Sequence, residues 1–193
     1  MTVFTLSSPD IPSGGTVPPH FEFDGFGCSG QNQSPILQWS GAPVGAQSFA
    51  VTVYDPDAPT GSGWWHWFVV DLPATTAQLV PNAGAQGGAG LPAGARQIRN
   101  DYGAFAWGGV CPPPGDKPHR YIFTVFAYDV DDLQAAGRRR GVDLRGGQRD
   151  QRAGRGIGIY RPPAPDAGNG LKRRKNGEIH ISATFCQCFC NAG

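Results

Sequence analysis

Ser48-Phe-Ala-Val-Thr-Val-Tyr54 is the stretch of this sequence that decides the fold class. Apolar and polar side chains alternate along it, and β-branched residues lie at its centre, as in a half-buried β-strand. Trp64–Leu72 is nearly continuous in apolar character and predicts a central strand, while Arg120–Tyr128 predicts a third strong strand. Prolines and glycines between the first two segments predict a turn-rich loop.

Weaker strand signals flank these three segments. Phe21–Asp24 and Ile36–Trp39 predict short strands, and the Ala/Gly/Pro-rich stretch Ala83–Gly94 predicts a long loop. The chain holds 29 glycines and 18 prolines but no convincing long amphipathic helix. Repeated short strands with such connections indicate an all-β sandwich with Greek-key connections and only minor helix.

Charge divides the chain into two regions. Residues 1–133 carry four basic side chains against eleven acidic ones, a net charge of −7, whereas residues 134–193 carry twelve against four, a net charge of +8. The second region is rich in Gly and Arg and poor in apolar residues, which predicts a largely disordered tail behind a β-sandwich core at 1–133. Glu178–Phe185, which alternates like a strand, is the exception. A shift of reading frame near Gln134 is a second explanation for this divergent tail.

The five cysteines divide unevenly between the two regions. Cys28 and Cys111 lie in the first, and Cys186, Cys188 and Cys190 lie near the C-terminus. An odd number without a recognisable secretion signal argues against a disulfide framework. The Cys-x-Cys-x-Cys run has the thiolates that a soft metal prefers, but no second ligand cluster accompanies it, so we predict no metal site. No run of eighteen apolar residues predicts a membrane span, and a cytoplasmic location is the expectation.

Candidate functional side chains lie where predicted strands begin or end. Asp55 follows one strand, whereas His66 and His119 lie near the beginnings of others, with Tyr121 two residues further on. If these strands are neighbours, their ends bring two imidazoles, a phenol and a carboxylate to one rim. Such groups offer directed donors to a small oxyanion, and a carboxylate beside an imidazole fixes its tautomer. A lone histidine in a strand is, however, more often structural than functional.

Several motifs together carry a family resemblance. They are Asp55-Pro-Asp-Ala-Pro59, His66-Trp67, Cys111-Pro-Pro-Pro-Gly115 and His119-Arg-Tyr121, supported by Gly30-Gln-Asn-Gln-Ser-Pro35 and Leu37-Gln-Trp39. Over residues 18–133 the chain resembles the phosphatidylethanolamine-binding protein family, and most of all its bacterial and archaeal Raf-kinase-inhibitor-like branch. The resemblance implies a β-sandwich whose pocket binds phosphate-like or carboxylate anions, such as a phospholipid headgroup, without catalysis or a cofactor.

The same resemblance assigns roles to residues. Asp55, His66, His119 and Tyr121 are expected to line the pocket, and backbone near Cys111 to contribute a donor. Asp57 and Arg120 are expected to fix loop geometry rather than touch the ligand, and Trp67 and Pro113 complete this supporting set. At least one of Trp65 and Trp67 is expected to pack into the core, and the proline run allows a cis peptide.

Other functions remain open at this stage. A hydrolase could use the same His/Asp set as general base and acid, although no Ser or Cys nucleophile lies in a recognisable elbow and only Cys111 lies close to the predicted pocket. The basic tail, with Arg138–Arg140 and Lys172–Lys175, could contact nucleic acid, but aromatic residues hardly occur among these charges. The resemblance also implies a kinase-inhibitor-like regulator, and leaves a protein partner and a homodimer open.

Overall fold

The computed structural model of the protein describes residues 3–133 and the backbone of residues 172–173 and 179–190. Its elements in chain order are β1 Thr5–Ser7, a 3₁₀ helix Pro19–Phe21, β2 Asp24–Gly25, β3 Cys28–Ser29, β4 Leu37–Ser40, β5 Ser48–Asp55, β6 Trp64–Pro73, β7 Gln78–Leu79, β8 Arg96–Gln97, β9 His119–Tyr128, β10 Lys172–Arg173 and β11 Ile179–Cys190. The all-β prediction is confirmed.

The main sheet has the order β10-β11-β9-β5-β6-β8, and every neighbouring pair is antiparallel. β9 returns to lie beside β5 rather than beside β8, so that the order β9-β5-β6-β8 is that of a Greek key. The three strands predicted from Ser48, Trp64 and Arg120 form β5, β6 and β9, each within one residue of the predicted bounds.

A second sheet, with the order β1-β4-β7, covers one face of the main sheet. Its inward side chains, such as Leu6, Leu37 and Leu79, share one buried cluster with Val51 and Val125 of the main sheet. A two-layer sandwich follows, because each sheet buries its apolar face against the other. The predicted strand at Ile36–Trp39 is β4, displaced by one residue.

The strand predicted at Phe21–Asp24 is wrong for most of its length. Pro19 opens a 3₁₀ helix that ends at Phe21, where the backbone N–H of Phe21 donates to Pro18 O at 3.0 Å. Proline fixes φ near the helical value and favours the first turn of a helix, which outweighs the β preference of the aromatic residues. The chain then forms a short hairpin from β2 and β3.

The chain between β7 and β8 contains no regular strand, as predicted for Ala83–Gly94. Successive turns close it, with backbone N–H groups of Ala85, Gly88 and Leu91 each donating to the carbonyl three residues earlier. No helix in the described part of the chain is long and apolar enough to cross a membrane.

The strand predicted at Glu178–Phe185 is confirmed as part of the longer β11, which pairs with β9 from Ile181↔Ala127 to Cys190↔His119. The predicted basic segment Lys172–Lys175 begins with β10, which pairs with β11. The basic segment Arg138–Arg140 and the disorder predicted for the rest of the tail fall on residues outside those that the structure describes. Cys186, Cys188 and Cys190 lie on β11, where only the backbone is described. The division at residue 133 stays a prediction.

A disulfide joins Cys28 to Cys111, with 5.9 Å between their Cα atoms. The expectation drawn from the odd number of cysteines is therefore wrong. It failed because two of the cysteines form a pair by themselves, whereas the other three lie together far along the chain. The bridge ties the β2–β3 hairpin to the segment that precedes β9.

Candidate functional site

The predicted strand-end residues come together at one end of the main sheet. Asp55 is the last residue of β5, and the neighbouring strands β6 and β9 contribute His66 and the pair His119 and Tyr121. All four side chains are buried, with at most 4% of any of these residues exposed. The predicted pocket residues therefore form a cluster that is closed to solvent in this structure.

Asp55 fixes the ring of His119. Its Oδ2 lies 2.8 Å from His119 Nδ1, while its Oδ1 accepts the backbone N–H groups of Asp57 at 2.8 Å and Ala58 at 3.1 Å. A carboxylate accepts only, so the contact places a proton on Nδ1 of His119. Each oxygen of this buried carboxylate thus has a partner, as burial of a charge requires.

His66 is held differently, by backbone carbonyls. Its Nδ1 lies 2.9 Å from Gly108 O and 3.1 Å from Gly109 O, so Nδ1 carries the proton and donates to both. Burial lowers the pKa of His66, against smaller raising effects of these carbonyls and of Asp55 and Asp101. The neutral ring therefore presents a lone pair at Nε2, which has no hydrogen-bond partner among the described residues. His66 donates from Nε2 only after it gains a proton.

Aromatic rings surround His66. Tyr121 is fully buried, and its ring lies edge-on to the imidazole at a centroid distance of 5.2 Å. Tyr102 lies on another side at 5.5 Å and donates its hydroxyl to Gly109 O at 3.0 Å. Burial, and less strongly Asp55, raises the pKa of Tyr102, which stays a neutral donor. These rings exclude water from the imidazole and account for its lowered pKa.

Asp57 and Arg120 form a two-pronged ion pair. Arg120 Nε donates to Asp57 Oδ2 at 2.7 Å and Nη2 to Oδ1 at 2.6 Å, and the backbone N–H of Arg120 adds a third bond at 2.9 Å. The hydrogen bonds from Arg120 lower the pKa of Asp57. The pair joins the loop after β5 to the start of β9, and so holds Asp55 and His119 in register.

The remaining predicted residues lie around this cluster. Trp67 is fully buried against Trp107, and its Nε1 donates to Gln97 at 2.7 Å, so the expectation that Trp65 or Trp67 enters the core is confirmed. The sulfur of Cys111 is in the disulfide. Pro113 O accepts the backbone N–H of Asp116 at 3.1 Å, and no described peptide bond of the proline run is cis.

Two sets of site residues escaped the sequence analysis. The first is Gly108-Gly109, whose carbonyls hold His66 and whose position is fixed by Asn32, since Asn32 Oδ1 accepts the Gly109 N–H at 2.7 Å. A Cβ on Gly109 would lie 2.3 Å from the backbone nitrogen of Phe23, so the close approach requires glycine. The Gly-Gly pair was the available signal, but backbone carbonyls leave no chemical signature in a sequence.

The second set is Asp116 alone. Its Oδ2 lies 3.2 Å from Nε2 of His119, the nitrogen that faces away from Asp55. Its place three residues before His119 was visible in the sequence, but the turn that precedes it, closed by the Asp116 N–H and Pro113 O, was not. Within residues 3–133 no group of three or more His, Cys, Asp and Glu side chains is arranged to hold a metal ion.

Comparisons with known proteins place this architecture in a family. Residues 7–154 match the family model described as phosphatidylethanolamine-binding protein. The chain is 55% identical over 130 residues to the UPF0098 protein YbcL of Escherichia coli (strain K12), covering 67% of this chain and 71% of YbcL. It is 48% identical over 128 residues to YbhB of the same organism, covering 66% of this chain and 80% of YbhB.

A solved structure gives the same result. The crystal structure of E. coli YbcL, described as a new member of the mammalian PEBP family, superposes with a TM-score of 0.67 at 39% sequence identity and covers 95% of this chain and 98% of that one. The sandwich, the strand-end cluster and these matches lead to one conclusion: the chain belongs to the phosphatidylethanolamine-binding protein family.

Proposed function

We propose that the cluster binds a small phosphate-like or carboxylate anion without catalysing a reaction. The observation that carries the proposal is the ring of His119: buried Asp55 fixes its Nδ1, and its Nε2 already contacts a carboxylate oxygen. A nitrogen so oriented becomes a directed donor for an anion when its ring carries a second proton. His66 Nε2 lies in the same cluster and becomes a second donor when its ring is charged.

Proton uptake follows from this arrangement. Because burial lowers the pKa of His66, the free site holds a neutral ring there, and an anion that accepts from Nε2 must bind together with a proton. The charged and titratable groups around the ring are Asp55, Asp101 and the two tyrosines. Binding is therefore expected to tighten as the pH falls towards the lowered pKa of His66.

The hydrolase alternative loses the nucleophile that the sequence suggested for it. Within residues 3–133, Cys111 is the cysteine near the predicted pocket, and its sulfur is bonded to Cys28 rather than available as a thiolate. A disulfide is also typical of oxidising compartments, so the cysteines lend no support to the predicted cytoplasmic location. The described residues favour neither the kinase-inhibitor-like role nor the nucleic-acid role, and we do not propose them.

The test is titration with inorganic phosphate, acetate and glycerophosphoethanolamine, followed by calorimetry. His119→Asn keeps a donor towards Asp55 but removes Nε2, and we expect it to weaken phosphate binding about 10-fold or more. His20→Asn is the matched control, because His20 is exposed and lies outside the cluster. Equal phosphate affinity in wild type and His119→Asn would refute the site. The relative affinities for the three compounds identify the anion class.

A further inference from the structure

His119 lies between two carboxylates that differ in how firmly they are held. On the inner side, Asp55 is buried, lies 2.8 Å from Nδ1 and accepts two backbone N–H groups as well. On the outer side, Asp116 lies 3.2 Å from Nε2, and 39% of its side chain is exposed. Only a ring with a proton on each nitrogen donates to both. The inner carboxylate is buried with a partner on each oxygen, whereas the outer one is partly exposed to solvent.

The proline loop presents Asp116 to the ring. Pro113 O accepts the Asp116 N–H at 3.1 Å, Pro114 follows Pro113, and Gly115 has φ +90°, as in a type II turn. This turn fixes the backbone of Asp116 three residues before His119. The side chain then occupies the nitrogen of His119 that an anionic ligand would need.

We infer that Asp116 is an internal competitor for the anion site: its carboxylate occupies His119 Nε2 in the free protein, and a bound anion displaces it. The inference rests on the proposed function. It explains why the cluster is closed to solvent although its chemistry suits an anion. The half-exposed side chain can turn into water without leaving a buried charge unpaired, since the ligand replaces it at the ring.

Displacement has a thermodynamic consequence. The apparent affinity of the site equals the intrinsic affinity multiplied by the fraction of molecules in which Asp116 has left the ring. Removal of its charge therefore tightens binding of every anion that uses Nε2. The affinity for a dianion should increase more than the affinity for a monoanion. The displaced carboxylate stays nearby in the wild type and repels a bound anion in proportion to the charge of that anion.

The test compares binding of inorganic phosphate to wild type, Asp116→Asn and Asp131→Asn by calorimetry. We expect Asp116→Asn to bind phosphate about five-fold more tightly, as loss of a partly exposed ion pair suggests. Asp131→Asn is the control, because it makes the same change of charge beyond the far end of β9. A strand of ten residues spans about 30 Å, so this variant should change the phosphate affinity less than about two-fold. Asp116→Ala should behave like Asp116→Asn.

Each other outcome has a definite meaning. Phosphate binding that is equal or weaker in Asp116→Asn, while His119→Asn still reduces it, overturns the competitor but leaves the anion site standing. Absence of binding in every variant overturns both. An equal gain in Asp131→Asn assigns the effect to net charge and also overturns the competitor. The imidazole nitrogen resonances of His119, recorded without ligand, should shift in Asp116→Asn alone.

Discussion

At the scale of the residue, the two histidines of the site differ in what holds their rings. His119 is held by carboxylates, whereas His66 is held by the carbonyls of Gly108 and Gly109 among aromatic rings. Carbonyl oxygens stabilise the imidazolium less than a carboxylate does, and burial penalises its charge. The protein therefore keeps one histidine neutral within the same cluster.

The lowered pKa of His66 makes stability depend on pH. Below its ordinary value of 6.5 the unfolded chain takes up a proton at His66, while the folded protein does not until the lower folded pKa is reached. The free energy of unfolding should thus be highest above this value and fall below it, by up to about 1.4 kcal/mol per pH unit from this group. His66→Asn, whose amide can still donate to the carbonyls, should lack this contribution.

Urea unfolding between pH 7.5 and 5 measures the free energy of unfolding of both proteins. Subtracting the value for His66→Asn from that for wild type at each pH removes the contribution of the other titrating groups. Identical pH slopes for wild type and His66→Asn would show that the ring titrates normally in the folded protein.

Side-chain chemistry made part of the site predictable. His66, His119 and Tyr121 carry donors that suit an anion, and Asp55 carries a carboxylate that can orient an imidazole. All four lie near the ends of predicted strands, so the sequence indicated a shared rim. Asp116 was not predictable in the same way, because an aspartate in a proline-rich loop is ordinarily a turn residue. Its contact depends on a type II turn and on the rotation of one side chain, neither of which alternation encodes.

At the scale of the element, a covalent bond adds to the backbone hydrogen bonds that tie the β2–β3 hairpin to the sandwich. Two residues per strand form too small a ladder to be stable alone, and Cys28–Cys111 closes a loop across 83 residues of sequence. Closing a loop of that length stabilises a fold by up to about 4 kcal/mol through restriction of the unfolded chain. The bridge joins this hairpin to Cys111, two residues after the Gly108–Gly109 segment that holds His66.

We expect the double variant Cys28→Ser/Cys111→Ser to lose about 2–4 kcal/mol of unfolding free energy. Guanidinium unfolding with and without a reductant measures the loss. Reductant should lower the midpoint of wild type and leave that of the double variant unchanged, which separates this bridge from any effect of the tail cysteines. A wild-type midpoint that reductant does not move would contradict the prediction.

The elements themselves show where sequence patterns succeed. β5, β6 and β9 were predictable because each combines β-branched or aromatic residues with a run of eight or more positions. The short strands β2, β3, β7 and β8 have two residues each, which is too few to show an alternation of apolar and polar side chains. Tertiary pairing, not local preference, defines them.

At the scale of the whole molecule, the site strand β9 is an interior strand only because β11 pairs with it. Without β11, the edge of β9 that carries His119 and Tyr121 would have unpaired N–H and C=O groups. The pairing runs from Ile181 opposite Ala127 to Cys190 opposite His119, with an irregularity between Phe185 and Cys188. The C-terminal region therefore supports a site to which sequence analysis assigned no residue beyond 133.

Thr184→Pro tests this pairing in the full chain. Thr184 lies opposite Thr124, and proline removes a backbone donor and disfavours a central strand. Amide hydrogen exchange followed by mass spectrometry should show loss of protection in peptides that cover His119–Tyr128. Peptides that cover the β6–β8 pair serve as the internal reference and should change less. Unchanged exchange across β9 would show that β11 does not protect it.

The Greek-key position of β9 also bears on how fast the protein reaches its native state. Both neighbours of β9 are remote in sequence: Val51 pairs with Val125, and Ala183 pairs with the same Val125 from the other side. Contacts of such long range slow folding, typically to milliseconds or seconds, because distant segments must meet before any pairing energy is gained. The candidate site is thus completed late, and until β11 joins, the open edge of β9 can pair with another chain.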